Sequence, residues 1–126
     1  MPSARYATRS PALPLLFAWV LVAAVVYLSL STTILELPGD PGGRYTHVAA
    51  YAVLMFLFVY AYREARAAVL VAAALLAVGV GLEYLQGYTG YRNFDRADIV
   101  ADAVGIGLGW LLGVGLTRTI RRTNAA

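Results

Sequence analysis

Four ionisable side chains and one amide side chain lie within long apolar stretches of this sequence. They are His47, Glu83, Gln86, Asp98 and Asp102. Imidazole and carboxylate groups can act as general acids and bases, and together they can hold a hard divalent cation. An ionisable group inside an apolar helix is costly, so these residues are candidates for a functional site.

Helical spacing predicts the direction in which these side chains point. Glu83 and Gln86 are three residues apart, and Asp98 and Asp102 are four apart, so each pair shares a helix face. Three glycines continue the face of the two aspartates: Gly105, Gly109 and Gly113. Small residues allow membrane helices to approach closely. We therefore expect the aspartates to point into a helix bundle and not towards lipid.

Two arginines near these positions add the chemistry of anion binding. Arg44 precedes His47 and Arg92 precedes Asp98 in the sequence. Guanidinium groups bind phosphate and carboxylate groups well, and neighbouring acids can orient them. The candidate residues of the polar pocket are Arg44, His47, Glu83, Gln86, Arg92, Asp98 and Asp102.

Several of these residues also have purely structural interpretations. Asp95 is typical of a helix N-cap, and Asp98 would then meet the positive end of the helix dipole. Asp102 lies a turn deeper, where its structural interpretation is a hydrogen-bonded clamp between helices. Glu83 is near the end of its apolar stretch, where the helix dipole disfavours an acid by about 0.3–1 kcal/mol. Glu83 therefore needs a proton or a cationic partner, for which the candidates are Arg44, Arg92 and His47.

The elements that must position these residues are four apolar stretches. The chain has 126 residues, of which 60% are hydrophobic and 13% charged, and its mean hydropathy is +0.68. Soluble domains contain about 25% charged residues, and a membrane helix needs about 20 apolar residues. The predicted helices are Ala12–Ser31, Thr46–Tyr62, Ala67–Gln86 and Asp98–Thr117. The sequence therefore predicts one all-α domain over residues 1–126, built as a four-transmembrane-helix bundle.

Breaks and charges predict the topology of this bundle. The breaks are Leu37–Gly43, Arg63–Arg66 and Gly87–Ala97. The first apolar stretch is longer than the roughly 7–15 residues of a signal-peptide core, so we expect a retained helix. Basic residues favour the cytoplasmic side of a membrane, which predicts that both termini are cytoplasmic. Seven of the ten arginines then lie inside, namely Arg5, Arg9, Arg63, Arg66, Arg118, Arg121 and Arg122.

The same features exclude several functional classes. The chain has no cysteine, so it contains no disulfide, no thiolate metal site and no cysteine nucleophile. Its arginines flank separate helices instead of forming one patch, so we expect no nucleic-acid partner. The sequence has no phosphate-binding glycine pattern, no nucleophile elbow and no familiar metal-ligand spacing. We therefore predict no cofactor and assign no metal ligand.

The order of these residues resembles the VanZ-like family, which is named for a teicoplanin-resistance protein. The matching segments are Arg44-x-x-His47-x-x-x-Tyr51, Glu83-x-x-Gln86 and Arg92-x-Phe94-x-x-x-Asp98-x-x-x-Asp102-x-x-Gly105-x-x-x-Gly109. The resemblance covers about residues 44–113, and the first helix fits by position only. The family commonly has Asn at the position of Asp102 and often has Lys at the position of Arg44, which changes hydrogen-bond geometry.

This resemblance implies a small multi-pass protein of the bacterial cytoplasmic membrane, and some relatives lower susceptibility to teicoplanin and related lipoglycopeptides. Three functions remain open. The first is a protein whose outer polar pocket binds a membrane lipid, a lipid-linked envelope precursor or a glycopeptide. The second is an enzyme that acts on a lipid-linked envelope substrate. The third is a structural or accessory subunit that associates with a partner, or with a second copy, through its glycine-lined helix.

Overall fold

Four long α-helices form the protein in the computed structural model, which describes residues 10–32, 37–90 and 92–125. They are α1 (Ala12–Leu30), α2 (Arg44–Tyr62), α3 (Ala65–Thr89) and α4 (Arg96–Ala125), with a short 3₁₀ turn at Pro41–Gly43 before α2. All four are long and apolar enough to cross a membrane, so the described residues confirm the predicted all-helical fold with four candidate spans. Arg5 and Arg9, on which the predicted orientation partly depends, lie outside the described residues.

The helices extend beyond the apolar stretches that predicted them. α2 begins at Arg44 instead of Thr46, and α3 continues to Thr89 instead of ending at Gln86. The expected charged break after α2 shortens to residues 63–64, and the expected polar loop after α3 shortens to residues 90–95. Hydropathy locates the membrane-buried part of a helix, whereas its ends depend on backbone hydrogen bonds and capping residues. α3 ends where Gly90 adopts the left-handed conformation, with φ 78°.

α4 is the longest helix and runs from Arg96 to Ala125, whereas the sequence predicted Asp98–Thr117. Its 30 residues correspond to about 45 Å, which exceeds the roughly 30 Å of a bilayer's hydrocarbon core. The additional turns carry the C-terminal arginines Arg118, Arg121 and Arg122. These turns therefore extend past the apolar part of the bundle.

Two aspartates cap the helices that begin at the same end of the bundle. Asp40 accepts hydrogen bonds from the N–H of Tyr45 at 2.8 Å, from the N–H of Thr46 at 2.9 Å and from the Thr46 hydroxyl at 2.7 Å. Burial alone would raise the pKa of Asp40, but these hydrogen bonds outweigh it and hold the pKa below its usual value. Asp95 accepts the N–H of Ala97 at 2.8 Å, which confirms the predicted N-cap of α4.

α2 and α4 form the most extensive helix pair, and glycines on α4 make their close approach feasible. A Cβ at Gly105 would lie 3.0 Å from Tyr51 Cβ, and a Cβ at Gly109 would lie 2.9 Å from Met55 Cβ. Gly113 lies in the same way against Val59. The glycine face of α4 is therefore covered by α2 of the same chain. α1 packs mainly on α2 and more lightly on α3.

Side-chain contacts place the C-terminal ends of α1 and α3 beside the N-terminal ends of α2 and α4. Gln86 Nε2 in α3 donates to the Ser29 carbonyl of α1 at 2.9 Å. His47 of α2 and Asp102 of α4 are joined by a 2.8 Å hydrogen bond. We call this end of the bundle, which also holds Glu83, the polar end.

Candidate functional site

The centre of the polar end is a hydrogen bond between His47 and Asp102. His47 Nδ1 and Asp102 Oδ1 are 2.8 Å apart, and Asp102 is only 1% exposed. His47 lies in the first turn of α2, and Asp102 lies in the second turn of α4. The close packing at Gly105, one turn further along α4, brings these two turns together. Asp102 therefore both clamps two helices and fixes the orientation of the imidazole ring.

Asp98 approaches the other nitrogen of the same imidazole ring. Asp98 Oδ2 is 3.8 Å from His47 Nε2, which is longer than a hydrogen bond. The residue is only 6% exposed, and its Oδ1 has no hydrogen-bond partner among the described residues. Asp98 lies in the first turn of α4, where the helix dipole favours an acid. The dipole does not replace the missing hydrogen bond to Oδ1, which leaves this carboxylate incompletely satisfied.

Glu83 is also buried, at 1% exposure, and its partner is a backbone group. Its Oε2 accepts the N–H of Asp95 at 3.0 Å. Within the described part of the chain, Glu83 makes no ion pair with Arg44 or Arg92, which were two of its expected partners. The prediction that the helix dipole disfavours Glu83 is also wrong. The dipole acts mainly over the last turn of a helix, and α3 continues beyond Glu83 to Thr89.

Three buried carboxylates and one half-buried imidazole form a group that we call the polar cluster: His47, Glu83, Asp98 and Asp102. Ligand atoms of His47, Glu83 and Asp98 all lie within 4.8 Å of one another. Three different helices supply them, so their proximity is a property of the bundle and not of any one segment. The cluster offers an oriented imidazole for acid–base chemistry and three side chains that could hold a cation.

Gly79 is a residue of this site to which the sequence analysis gave no role. It lies on α3 opposite α4, and a Cβ at this position would collide with the Asp102 carboxylate. Tyr51, which is 2% exposed, lies on the other side with its hydroxyl 3.1 Å from the same Cβ position. A glycine within an apolar helix can mark a close contact with a neighbouring helix. The sequence could not assign Gly79 to this contact, because it does not show which residues of α3 face α4.

Gln86 and Arg44 have contacts outside the polar cluster. The Gln86 amide donates to the Ser29 carbonyl, which lies in the last turn of α1 and has no acceptor role within that helix. Arg44 Nη2 is 3.4 Å from Asp95 Oδ2, in an ion pair whose side chains are 56% and 44% exposed. Hydrogen bonds from Ala97 N–H and Arg44 hold the pKa of Asp95 below its usual value. Gln86 thus fastens α1, and Arg44 fastens the start of α4.

Arg92 lies on a cleft between α1 and α2, which the sequence did not predict. The cleft has a volume of about 290 Å³. Its apolar wall comes from Leu21, Ala24, Val25, Leu28 and Ala50, and its polar end comes from Ser29, Thr46, His47, Tyr51 and Arg92. Arg92 has no acidic partner within ion-pair distance in the described part of the chain. The cleft therefore joins an apolar surface to the guanidinium group of Arg92, which no acid of the described residues pairs with.

The four candidate membrane spans and the polar cluster together indicate a multi-pass helical membrane protein in which three buried carboxylates lie around one half-buried imidazole. We compared the chain with protein-family models, with curated proteins and with solved structures, and found no match.

Proposed function

We propose that this protein binds an anionic, lipid-linked molecule of the cell envelope in the cleft between α1 and α2. The observation that carries the proposal is the composition of the cleft, which is apolar along α1 and polar around His47 and Arg92. An acyl or prenyl chain would lie against Leu21 and Val25. The phosphate or carboxylate of its headgroup would meet the guanidinium group of Arg92.

The location of the cleft favours a lipid over a water-soluble ligand. Both of its walls are helices that are long and apolar enough to cross a membrane, so an amphiphile could enter from the bilayer. Its volume of about 290 Å³ is near the lower limit of the roughly 300–1,000 Å³ of typical small-molecule sites. The cleft therefore suits a headgroup and the first part of a chain, with the rest of that chain remaining in the membrane.

The charges at the two ends of the bundle support an orientation with both termini in the cytoplasm. Arg63, Arg118 and Arg121 line one cavity at the end opposite the polar cluster. Because basic residues favour the cytoplasmic side, the polar end would face outwards. The resemblance to the VanZ-like family supports placement in the bacterial cytoplasmic membrane. In this orientation the cleft would meet lipid-linked precursors of the cell wall in the outer leaflet.

Lipid binding should depend on Arg92 and not on a neighbouring arginine. In detergent, an anionic lipid such as phosphatidylglycerol is expected to raise the apparent Tm of the wild type more than phosphatidylcholine does. The substitution Arg92→Gln should remove most of this difference, because it deletes the guanidinium group that lines the cleft. The matched control is Arg96→Gln, which changes an exposed arginine at the start of α4 that does not line the cleft. Equal lipid stabilisation of the two variants, or none of the wild type, would contradict the proposal.

An effect on glycopeptide susceptibility is the cellular form of this proposal, and the resemblance to the VanZ-like family motivates it. Expression of the wild type in a sensitive bacterium should raise the inhibitory concentration of teicoplanin by several fold, with a smaller change for vancomycin. Glu83→Gln should reduce the protection at equal membrane abundance, because it removes an acidic group beside His47 and Asp98. It keeps an oxygen that can accept the Asp95 N–H. Unchanged susceptibility to both drugs in cells that contain the wild type would remove the resistance proposal and leave the lipid proposal to its own test.

An enzyme acting on a lipid-linked substrate is a second candidate, and the hydrogen bond between His47 and Asp102 favours it. A carboxylate at one imidazole nitrogen orients the ring and strengthens the other nitrogen as a base. One experiment decides between the enzyme and the binding protein. The purified protein is incubated with a lipid-linked envelope precursor, and the products are analysed by mass spectrometry. Conversion of the precursor favours the enzyme, and recovery of intact precursor favours the binding protein.

An accessory subunit would need a different surface from the one the sequence suggested. The glycine face of α4 packs on α2 of the same chain, so this face is not available to a partner. Association with a second copy would have to use other, lipid-facing residues of the bundle.

A further inference from the structure

The polar cluster contains more acidic groups than the described residues can balance. Glu83, Asp98 and Asp102 are 1%, 6% and 1% exposed, and all lie around a single imidazole. Arg44, at the same end of the bundle, pairs with the exposed carboxylate of Asp95 instead. Buried carboxylates are stable only when they are paired, protonated or bound to a metal. One histidine is too little positive charge for three of them.

We infer that His47, Glu83 and Asp98 bind a divalent metal ion at the polar end of the bundle. The inference concerns the metal alone and does not depend on the proposed lipid function. The sequence indicated that the side chains of the polar cluster are able to hold a divalent cation but assigned no metal ligand, because no familiar spacing was present; the structure selects three of them.

The first support is the distance between the ligand atoms. One nitrogen of His47 and one oxygen each of Glu83 and Asp98 lie within 4.8 Å of one another. Metal–ligand bonds of about 2.0–2.2 Å place ligands on opposite sides of an ion about 4 Å apart. Small side-chain rotations would therefore close the three ligands around one ion, without any displacement of the helices that carry them.

The second support is the incomplete hydrogen bonding of Asp98. Its Oδ1 is buried and has no hydrogen-bond partner among the described residues, and its Oδ2 is 3.8 Å from His47 Nε2. The Asp98 side chain is only 8% exposed, so bulk water does not satisfy it. Buried polar atoms in proteins nearly always have a partner, and an exception requires an explanation. A cation between Asp98 and His47 supplies one.

The third support is the position of Asp102 behind the imidazole. Asp102 Oδ1 is 2.8 Å from His47 Nδ1, so a carboxylate there can accept the Nδ1 proton and leave Nε2, which faces Asp98, to bind a metal. Metal-binding histidines commonly donate their other nitrogen to a carboxylate in this way. Asp102 would thus be a positioning residue for the metal ligand His47 and not a ligand itself.

The ligand set selects the type of ion. Two carboxylates and one imidazole suit Mn²⁺ or Zn²⁺ better than Ca²⁺, which prefers six to eight oxygen ligands. Three protein ligands leave coordination positions open. If the proposed lipid function holds, an anionic headgroup in the cleft could take one of these positions, because His47 belongs to both the cleft and the cluster.

Metal titration of the purified protein tests this inference without any lipid. The wild type is treated with EDTA, freed of chelator and titrated with Mn²⁺ alone and Zn²⁺ alone. We expect about one tightly bound ion per chain by elemental analysis. Asp98→Asn and Glu83→Gln should weaken binding at least tenfold, and Asp102→Asn should weaken it about 10–100-fold through His47. Asp95→Asn is the matched control and should bind like the wild type, because Asp95 lies outside the ligand set.

A spectroscopic measurement keeps the test independent of how well the variants fold. The chain contains one histidine, so ¹⁵N-labelling of histidine marks His47 alone. In pulsed EPR of the Mn²⁺-loaded wild type, the label should replace the ¹⁴N modulation with a ¹⁵N coupling. Substoichiometric metal in the wild type, equal affinity in Asp98→Asn and Asp95→Asn, or spectra that the label leaves unchanged would overturn the inference. A failure of lipid binding would not change any of these readouts.

Discussion

Replacing His47 with alanine is expected to destabilise the protein more than any other single change in the polar cluster. The substitution leaves Asp102, Asp98 and Glu83 buried without their shared imidazole. Removing one partner of a buried charge pair costs about 3–5 kcal/mol, because the remaining charge stays out of water. In detergent with EDTA, which excludes any metal contribution, the apparent Tm should fall by at least about 10 °C.

Two further variants show whether this loss comes from the buried charges. Arg44→Ala breaks the ion pair with Asp95 at the same end of the bundle. The two side chains are 56% and 44% exposed, so the substitution should cost less than about 1 kcal/mol. Asp102→Asn keeps an oxygen that accepts the N–H of His47, so its Tm should remain near that of the wild type. Equal losses of stability in His47→Ala and Arg44→Ala would mean that the buried contacts of His47 contribute no more than an exposed ion pair.

The substitution Gly109→Ala is expected to lower the stability of the protein substantially. The control Gly107→Ala, two residues away, is expected to have no such effect or to raise the stability. A Cβ at Gly109 would lie against the Ala52 carbonyl and 2.9 Å from Met55 Cβ, so α2 and α4 would have to separate. Overpacking of this kind costs about 1–3 kcal/mol. Gly107 faces away from the other helices, and no heavy atom lies within 4 Å of its added Cβ.

The control should gain stability, because its added Cβ meets no other helix and only the helix preference of alanine remains. Alanine is favoured over glycine inside a helix by about 0.5–1 kcal/mol, so Gly107→Ala should leave the apparent Tm unchanged or raise it. Gly109→Ala should lower the Tm and the yield of monodisperse protein on size exclusion. A similar gain for both variants would mean that α4 does not approach α2 as closely as the structure places it.

Much of the fold could be predicted because hydropathy and helical periodicity carry the information. Each predicted span lies within an observed helix, apart from Ser31, which follows the end of α1. The spacing of Asp98 and Asp102 with the glycines identified the buried face of α4, because helix packing in a membrane depends on small residues. Local sequence therefore determined both the elements and the direction of the residues along α4.

The partners of the polar residues could not be predicted, since they depend on contacts between elements. Glu83 accepts a hydrogen bond from the backbone N–H of Asp95. Nearly every residue has such an N–H, so the sequence does not indicate which one is the donor. The cleft was not predicted because α1 has no charged residue that would mark it as part of a site. It contributes mainly apolar side chains to the cleft. The sequence could suggest His47, Glu83 and Asp98 as cation-binding residues by their type. Their ligand atoms come from three helices, so no sequence spacing could show that these atoms meet.

The backbone and the side chain at position 95 make different contacts, and mutation affects them differently. The side chain of Asp95 caps α4 and pairs with Arg44, and a mutation can alter both contacts at once. The N–H that Glu83 accepts belongs to the peptide bond, and every amino acid except proline supplies it. Sequence drift at position 95 can therefore change the cap and the ion pair while Glu83 keeps its hydrogen bond, and only a codon for proline removes that bond directly.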